Sequence, residues 1–182
     1  KHFDRFKGRV IFPIQNISGR VIGFGGRTLS ADKKAAKYLN SPESDIYHKS
    51  KVLYGLNLAK KEIIAKDQCY LAEEYTDVIS FSQNGIENVV SSSGTSLTTD
   101  QIRLIKRYTQ NITIWFDGDT AGIKAAFSGI DMILEEGLNV RVLAFPEGED
   151  PDSFAKSHST AELSDFLEKE SSDFIRFKTK LL

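Results

Sequence analysis

From Leu56 onward the chain switches between two periodicities, and that alternation limits its architecture more than any other feature. Helical patterning near Leu56–Lys66 leads into the strand-like "QCYLAEE", then a helix near Thr76–Asn84 and a strand at "ENVVSSS". A helix near Thr98–Tyr108, the strand "ITIWF", a helix near Ala121–Glu136 and the strand "NVRVLAF" complete the series. Strands joined through helices make right-handed crossovers and therefore a mainly parallel sheet covered by helices. In such a sheet ligands lie outside the carboxyl ends of the strands. The stretch from Pro151 to Leu182 reads as helices with Leu163, Phe166, Leu167, Phe174, Ile175 and Phe177 on apolar faces.

Carboxylates recur at those strand ends. The first strand of the series runs into Glu73, with Asp77 one helical turn further on, and the third ends at Asp117 and Asp119. After the fourth, "FPEGEDPDSF" supplies Glu149, Asp150 and Asp152. Residues two apart in extended backbone point the same way, so Asp117 and Asp119 face one point if the strand continues through Gly118. An Asp-Gly turn with an Asp helix cap explains that pair alone equally well, but not acids at three of four strand ends. Gathered carboxylates repel unless a cation or protons neutralise them, and Mg²⁺ suits oxygen ligands that leave positions open for phosphate. The second strand ends in "SSSGTS", a small polar turn whose backbone can approach a ligand.

The segment before Leu56 differs. "GRVIFPIQNISGRVIGFGGRTLS" gives two β-rich runs around Asn16–Gly19, an antiparallel hairpin. A polar, basic stretch, "ADKKAAKYLNSPESDIYHKSKVLYG", follows and reads as a loop with short helical pieces. Residues 1–70 carry 14 Lys and Arg against 6 Asp and Glu, a net of +8, whereas residues 71–182 carry 10 against 19, a net of −9. The overall −1 thus hides a basic part suited to phosphates and an acidic part suited to metal, unless both are simply solvated surfaces.

Several classes drop out. No apolar run approaches the roughly 20 residues of a membrane span, and "KHFDRFKGR" is no signal peptide, so a cytoplasmic protein is expected. Cys69 is the single cysteine, which excludes a disulfide framework and a cysteine zinc site within these residues, and His2, His48 and His158 are scattered. GFGG lacks the third glycine and the helix of a dinucleotide fingerprint, leaving backbone geometry in the hairpin as its expected role. Ala121 and Ser128 stand where an EF-hand would need ligands. A phosphatase using the first Asp of D-x-D as nucleophile leaves Glu73 and the basic part without a role.

Taken in order, "LAEEYTDV", "SSSGTSLT", "FDGDTAGIKAA" and "FPEGEDPD" resemble the TOPRIM domain of bacterial DnaG-type primases. The upstream "GRVIFPI", "GRVIGFGGRTL" and "KYLNSPESDIYHKSKVLYG" resemble the preceding part of the same core. The expected fold is therefore α/β: residues 1–55 the end of a small β-rich basic subdomain, 56–150 the TOPRIM domain, and 151–182 a C-terminal helical segment. The resemblance implies synthesis of short RNA primers from ribonucleoside triphosphates on a single-stranded DNA template, a nucleotidyl transfer assisted by Mg²⁺, with Mn²⁺ as substitute. It implies an acidic site of Glu73, Asp117, Asp119, Asp150 and Asp152 supported by Asp77, with Glu73, Asp117 and Asp119 catalytic and Glu73 either a metal ligand or a proton acceptor. Arg27, Lys37, Asn40 and Lys49 match the stretch that in primases faces nucleotide and template, and Lys51 adds to that patch. Tyr38 reads either as a base-stacking platform or, more commonly for such a residue, as a packing anchor.

The same resemblance implies a fragment. The family's zinc module, the first part of its core and its helicase-binding tail lie outside these residues, so partners such as the replicative helicase and single-stranded DNA-binding protein are expected through other domains. One position departs from the pattern: Glu74 stands where the family carries glycine. Glutamate there adds bulk and charge, so metal binding is expected to survive and catalysis to be weakened. Two alternatives remain, a TOPRIM topoisomerase or nuclease with the same acids, and a catalytically weakened scaffold that binds metal and nucleic acid.

Overall fold

The computed structural model describes residues 4–30, 36–94, 96–116 and 129–181. The strands of the described residues form two sheets. Strands β1 (Arg9–Gln15), β2 (Val21–Thr28) and β3 (Tyr38–Asn40) form an antiparallel sheet in the order β1-β2-β3. The larger sheet has the order β5-β4-β6-β7-β8, from β4 (Cys69–Ala72), β5 (Val89–Ser91), β6 (Asn111–Phe116), β7 (Asn139–Ala144) and β8 (Ser172–Asp173). Strands β4 to β7 run parallel, and β8 pairs antiparallel with the edge of β7.

Helices cover both faces of the larger sheet. On one side, α1 (Leu56–Lys66), α3 (Thr99–Lys106), the helical residues 129–135 (α4) and α7 (Phe174–Leu181) pack through Ile63, Ile102, Ile105, Ile130, Ile133 and Phe177. On the other, α2 (Tyr75–Gln83), α5 (Pro151–Ser157) and α6 (Thr160–Glu170) contribute Phe81, Phe154, Leu163 and Leu167. Strand β6 shows how its sequence divides between these layers. Ile112, Ile114 and Phe116 face one cluster and Trp115 the other, the two-residue alternation of a strand buried on both sides. Cys69 is buried in the first cluster. The segment from Pro151 continues the second layer, with Phe154 and Phe166 packed on Phe145. Among the described residues no helix is long and apolar enough to cross a membrane.

Helix limits follow local chemistry. Thr98 caps α3 by accepting from Gln101 N–H at 3.2 Å while Gln101 Oε1 accepts from Thr98 N–H at 3.1 Å. Asp150 and Ser159 cap α5 and α6 with reciprocal partners at the same spacing.

Two short strands were not anticipated. Residues Tyr38–Asn40, expected within a loop, pair with Gly25–Arg27, and Ser172–Asp173 pair with β7. Neither is long enough to show alternation, so only the partner strand defines them. The expected short helical pieces are represented by a 3-10 turn at Lys49–Lys51. The GFGG glycines serve something other than hairpin backbone geometry. A Cβ on Gly25 would lie 2.5 Å from Tyr75 Cζ, one on Gly26 2.7 Å from Phe6 Cδ1, and one on Gly23 3.1 Å from Tyr47 Cγ. They leave room for aromatic rings. Tyr75, wholly buried, stacks on Phe12 at 5.1 Å and meets Tyr54 edge-on at 4.7 Å, so the ring at the start of α2 is seated in the three-stranded sheet.

Gly25→Ala is therefore expected to lower unfolding free energy by about 1–3 kcal/mol through overpacking against Tyr75. Urea denaturation checks this, and an unchanged midpoint would show that the seam gives way easily.

Candidate metal and nucleotide site

Because β4 and β7 are parallel, their carboxyl ends leave the larger sheet on the same edge, and the acids that follow them meet there. Glu73 is exposed at the end of β4, Glu74 is the N-terminal cap residue of α2, and Asp77 is buried in its first turn. Asp77 accepts the Glu74 backbone N–H at 2.9 Å. After β7, Asp150 caps α5 and accepts from Ser153 N–H at 2.7 Å. Glu73, Glu74, Asp77 and Asp150 line one cleft with Lys37, Pro151, Trp115 and Phe116. Phe116 ends the described part of β6. The next residue, Asp117, lies with Asp119 outside the described residues, so the structure says nothing of where that expected pair points.

The cleft is electrostatically loaded. Burial above all, with the charges of Glu74, Asp150 and Asp152, raises the Asp77 carboxyl to about 8 against the opposing hydrogen bond from Glu74 N–H. Asp77 thus holds a proton at neutral pH unless a cation compensates. Among the described residues no three acidic, histidine or cysteine side chains gather closely enough to hold a metal by themselves.

Asp152 is turned elsewhere. Its carboxylate accepts from Ser80 Oγ and from Lys156 Nζ at 2.7 Å, and Arg27 Nη1 is 3.8 Å away. Burial raises this carboxyl, but the hydrogen bonds from Lys156 and Ser80 and the charges of Lys156 and Arg27 outweigh burial and hold it below the usual range. It therefore binds α2, α5 and β2 to one another.

The basic candidates divide into two groups. Arg27, Lys37 and Asn40 all sit where the two sheets meet. Arg27 faces Asp152, and its Cζ is 5.8 Å from the Tyr38 ring centre. Asn40 accepts from Tyr75 Oη at 2.7 Å and donates to the Ser93 carbonyl at 3.1 Å. Ser93 and Gly94 both take positive φ, 64° and 67°, and this turn brings Gly94 N–H to the Glu73 carbonyl at 2.9 Å. The polar turn after β5 is thereby tied both to the metal-ligand candidate and to the three-stranded sheet. Lys49 and Lys51 lie instead on the 3-10 turn against the start of α3, where Gln101 Nε2 donates to the Lys49 carbonyl at 3.1 Å.

Glu74, where glycine was expected, has both oxygens engaged. Lys37 Nζ donates to Oε1 at 2.8 Å and Tyr38 Oη to Oε2 at 2.8 Å. Burial raises the Tyr38 hydroxyl, which keeps its proton for that bond. Tyr38 also lies 5.7 Å from the Tyr75 ring, so it packs within the seam. Sequence reasoning missed these partners and Ser80, because nothing local to residues 37, 74 or 80 indicates that they meet.

Two family models match the chain. Residues 1–60 match the DNA primase catalytic core, N-terminal domain, and residues 70–155 match a Toprim-like model. The DNA primase of Staphylococcus epidermidis is 39% identical over 180 residues, covering 99% of this chain and 30% of that protein. The DNA primase of Clostridium acetobutylicum is 48% identical over 156 residues, covering 86% and 26%. The chain thus spans under a third of the length of these curated relatives. Among solved structures, a DNA primase domain from Pseudomonas aeruginosa superposes with a TM-score of 0.90 at 38% identity, covering all of this chain and 57% of that one. The E. coli primase catalytic core gives 0.87 at 40% identity over 98% and 57%. A DnaG primase catalytic domain bound to single-stranded DNA gives 0.83 at 41% identity over 93% and 55%. With residues 1–60 and 70–155 matched by these two family models and nearly the whole chain matched by these relatives, the chain belongs to the DnaG-type DNA primase family.

Proposed function

We propose that this chain carries the nucleotidyl-transfer site of a primase, which joins ribonucleotides into short RNA primers on a single-stranded DNA template. The observation that carries this reading is the meeting of Glu73, Asp77 and Asp150 in one cleft that Lys37, from the other sheet, also lines. Its donor set suits a divalent cation: oxygen ligands, too much negative charge for a neutral site, and a buried carboxyl that is neutral only by holding a proton. Glu73, Asp117, Asp119 and Asp150 would hold the cation, Mg²⁺ by preference with Mn²⁺ as substitute, and Asp77 and Asp152 would support them. When bound, such a cation lowers the pKa of a primer 3′-hydroxyl and stabilises charge on the phosphoryl group as pyrophosphate leaves.

The protein's own groups do the rest. Glu73, exposed at the end of β4, would serve either as one of those ligands or as proton acceptor from the hydroxyl. Arg27 and Lys37 offer a guanidinium and a mobile ammonium for the triphosphate. Asn40 acts indirectly, holding the Ser93 turn and Tyr75. Lys49 and Lys51 would follow the template backbone as phosphate contacts, which makes binding salt-dependent. A TOPRIM topoisomerase or nuclease would use the same acids, but the match of residues 1–60 to a primase core favours synthesis over cleavage. Supercoiled DNA is accordingly expected to remain unnicked.

Titration with Mn²⁺ at neutral pH is expected to give saturable heat that Asp117→Ala abolishes. Undiminished binding by that variant would remove Asp117 from the site.

Asp77 gives a second expectation. A carboxyl raised in the folded state contributes fully below its unfolded value near 3.8, and its contribution is lost as pH rises through about 8. In chelator, Asp77→Asn should therefore be more stable than the unaltered chain by about 1–3 kcal/mol at pH near 9 and nearly equal to it near pH 4. Added Mg²⁺ should shrink the high-pH gain. Urea unfolding at the two pH values measures it; a gain that is the same at both would show that Asp77 does not carry this proton.

A further inference from the structure

Glu74 stands beside a metal-ligand candidate yet spends both oxygens on residues of the other sheet. Its Oε1 takes the Lys37 ammonium at 2.8 Å and its Oε2 the Tyr38 hydroxyl at 2.8 Å. Lys37 enters from the start of β3, where its carbonyl accepts Thr28 N–H at 3.0 Å and Arg9 Nη1 at 3.3 Å, so its backbone is fixed. Its side chain is 56% exposed while that of Glu74 is 26% exposed. Both side chains line the cleft, the lysine the more exposed of the two and the glutamate held by Tyr38 as well. The ammonium also lies 5.7 Å from the Tyr38 ring centre, a second favourable contact on the Glu74 side.

We propose that Glu74 is a positioning residue that sets nucleotide affinity through Lys37: it holds the ammonium at the cleft and yields it to an incoming polyphosphate. The proposal rests on the reading of the cleft as a nucleotide site. One ammonium here has two anionic claimants, and a polyphosphate must displace the first before it gains the second. An ion pair this exposed is weak, worth roughly a few-fold in an equilibrium constant, so it tunes binding without blocking it. Glycine at 74 would impose no such competition. The weakening expected from the sequence thus has a route that does not pass through the metal ligands, since Glu74 is turned to Lys37 and Tyr38. Glu74 also lines the cleft and its charge acts on the Asp77 carboxyl, so a gain on removing it is assigned to the exchange by its dependence on Lys37.

Inorganic tripolyphosphate titrated into the metal-free chain at low ionic strength reads the exchange alone. Glu74→Gln, which keeps an acceptor for Tyr38, is expected to bind about 2–5-fold more tightly than the unaltered chain. Lys37→Met should bind more weakly, and in that background Glu74→Gln should gain less than half as much. No gain from Glu74→Gln, or the same gain without Lys37, would overturn the exchange, the latter showing simple repulsion. In full-length primase bearing this core, Glu74→Gln should lower KM for nucleoside triphosphate by a similar factor and leave kcat within about twofold; a fall in kcat would assign Glu74 to the chemistry instead. Failure of the polymerase reading looks different: tripolyphosphate exchange on a chain that binds no Mn²⁺, against Mn²⁺ binding with tripolyphosphate indifferent to Glu74 if the exchange alone is wrong.

Discussion

The seating of one aromatic ring decides how the two sheets meet. Tyr75 is the first residue of α2, immediately after the acids that end β4, yet its ring lies in the antiparallel sheet, on Phe12 and over Gly25, with its hydroxyl on Asn40. Whatever fixes Tyr75 also fixes Glu73 and Glu74, because no chain intervenes to absorb a shift. The site's acidic edge and its basic flank are therefore registered to each other by packing, not by a flexible linker. Burial of so large a ring is worth a few kcal/mol. Glycine at 25 is what makes that burial geometrically possible.

Charge is organised around the same seam. The excess of base in residues 1–70 and of acid in residues 71–182 suggested phosphates for one and metal for the other. Part of each excess is spent where the parts touch, in Lys37 with Glu74 and Arg27 with Asp152. Asp152 illustrates the consequence. Two carboxylates two residues apart looked alike in sequence, but Asp150 lines the cleft at a helix start and Asp152 is surrounded by Ser80, Lys156 and Arg27. A helix start, unlike a strand, sends residues two apart in different directions. The argument that two such residues face one point, made for Asp117 and Asp119, needs extended backbone, which α5 does not supply to Asp150 and Asp152.

The local pattern determined much of the fold. The 3.6-residue and two-residue periods set α1 at Leu56–Lys66 and the four parallel strands, and hence the edge on which Glu73 and Asp150 emerge. Short strands defined by a distant partner, Tyr38–Asn40 and Ser172–Asp173, carry no period and were illegible for that reason. The same holds for the glycines of β2, whose function is the absence of a Cβ opposite rings far away in the chain.

By itself, then, the sequence determined the periodicities, the capping residues and the chemistry available at each strand end, all of which are properties of neighbours along the chain. Tertiary structure alone decided which groups that chemistry meets: that Glu74 faces Lys37 and Tyr38, that Asn40 holds the Ser93 turn, and that Asp152 joins α2, α5 and β2. The reason is physical. A carboxylate or an ammonium is the same group wherever the chain carries it, and its partner, its burial and its proton are settled only when residues 36 or more positions apart are packed against one another.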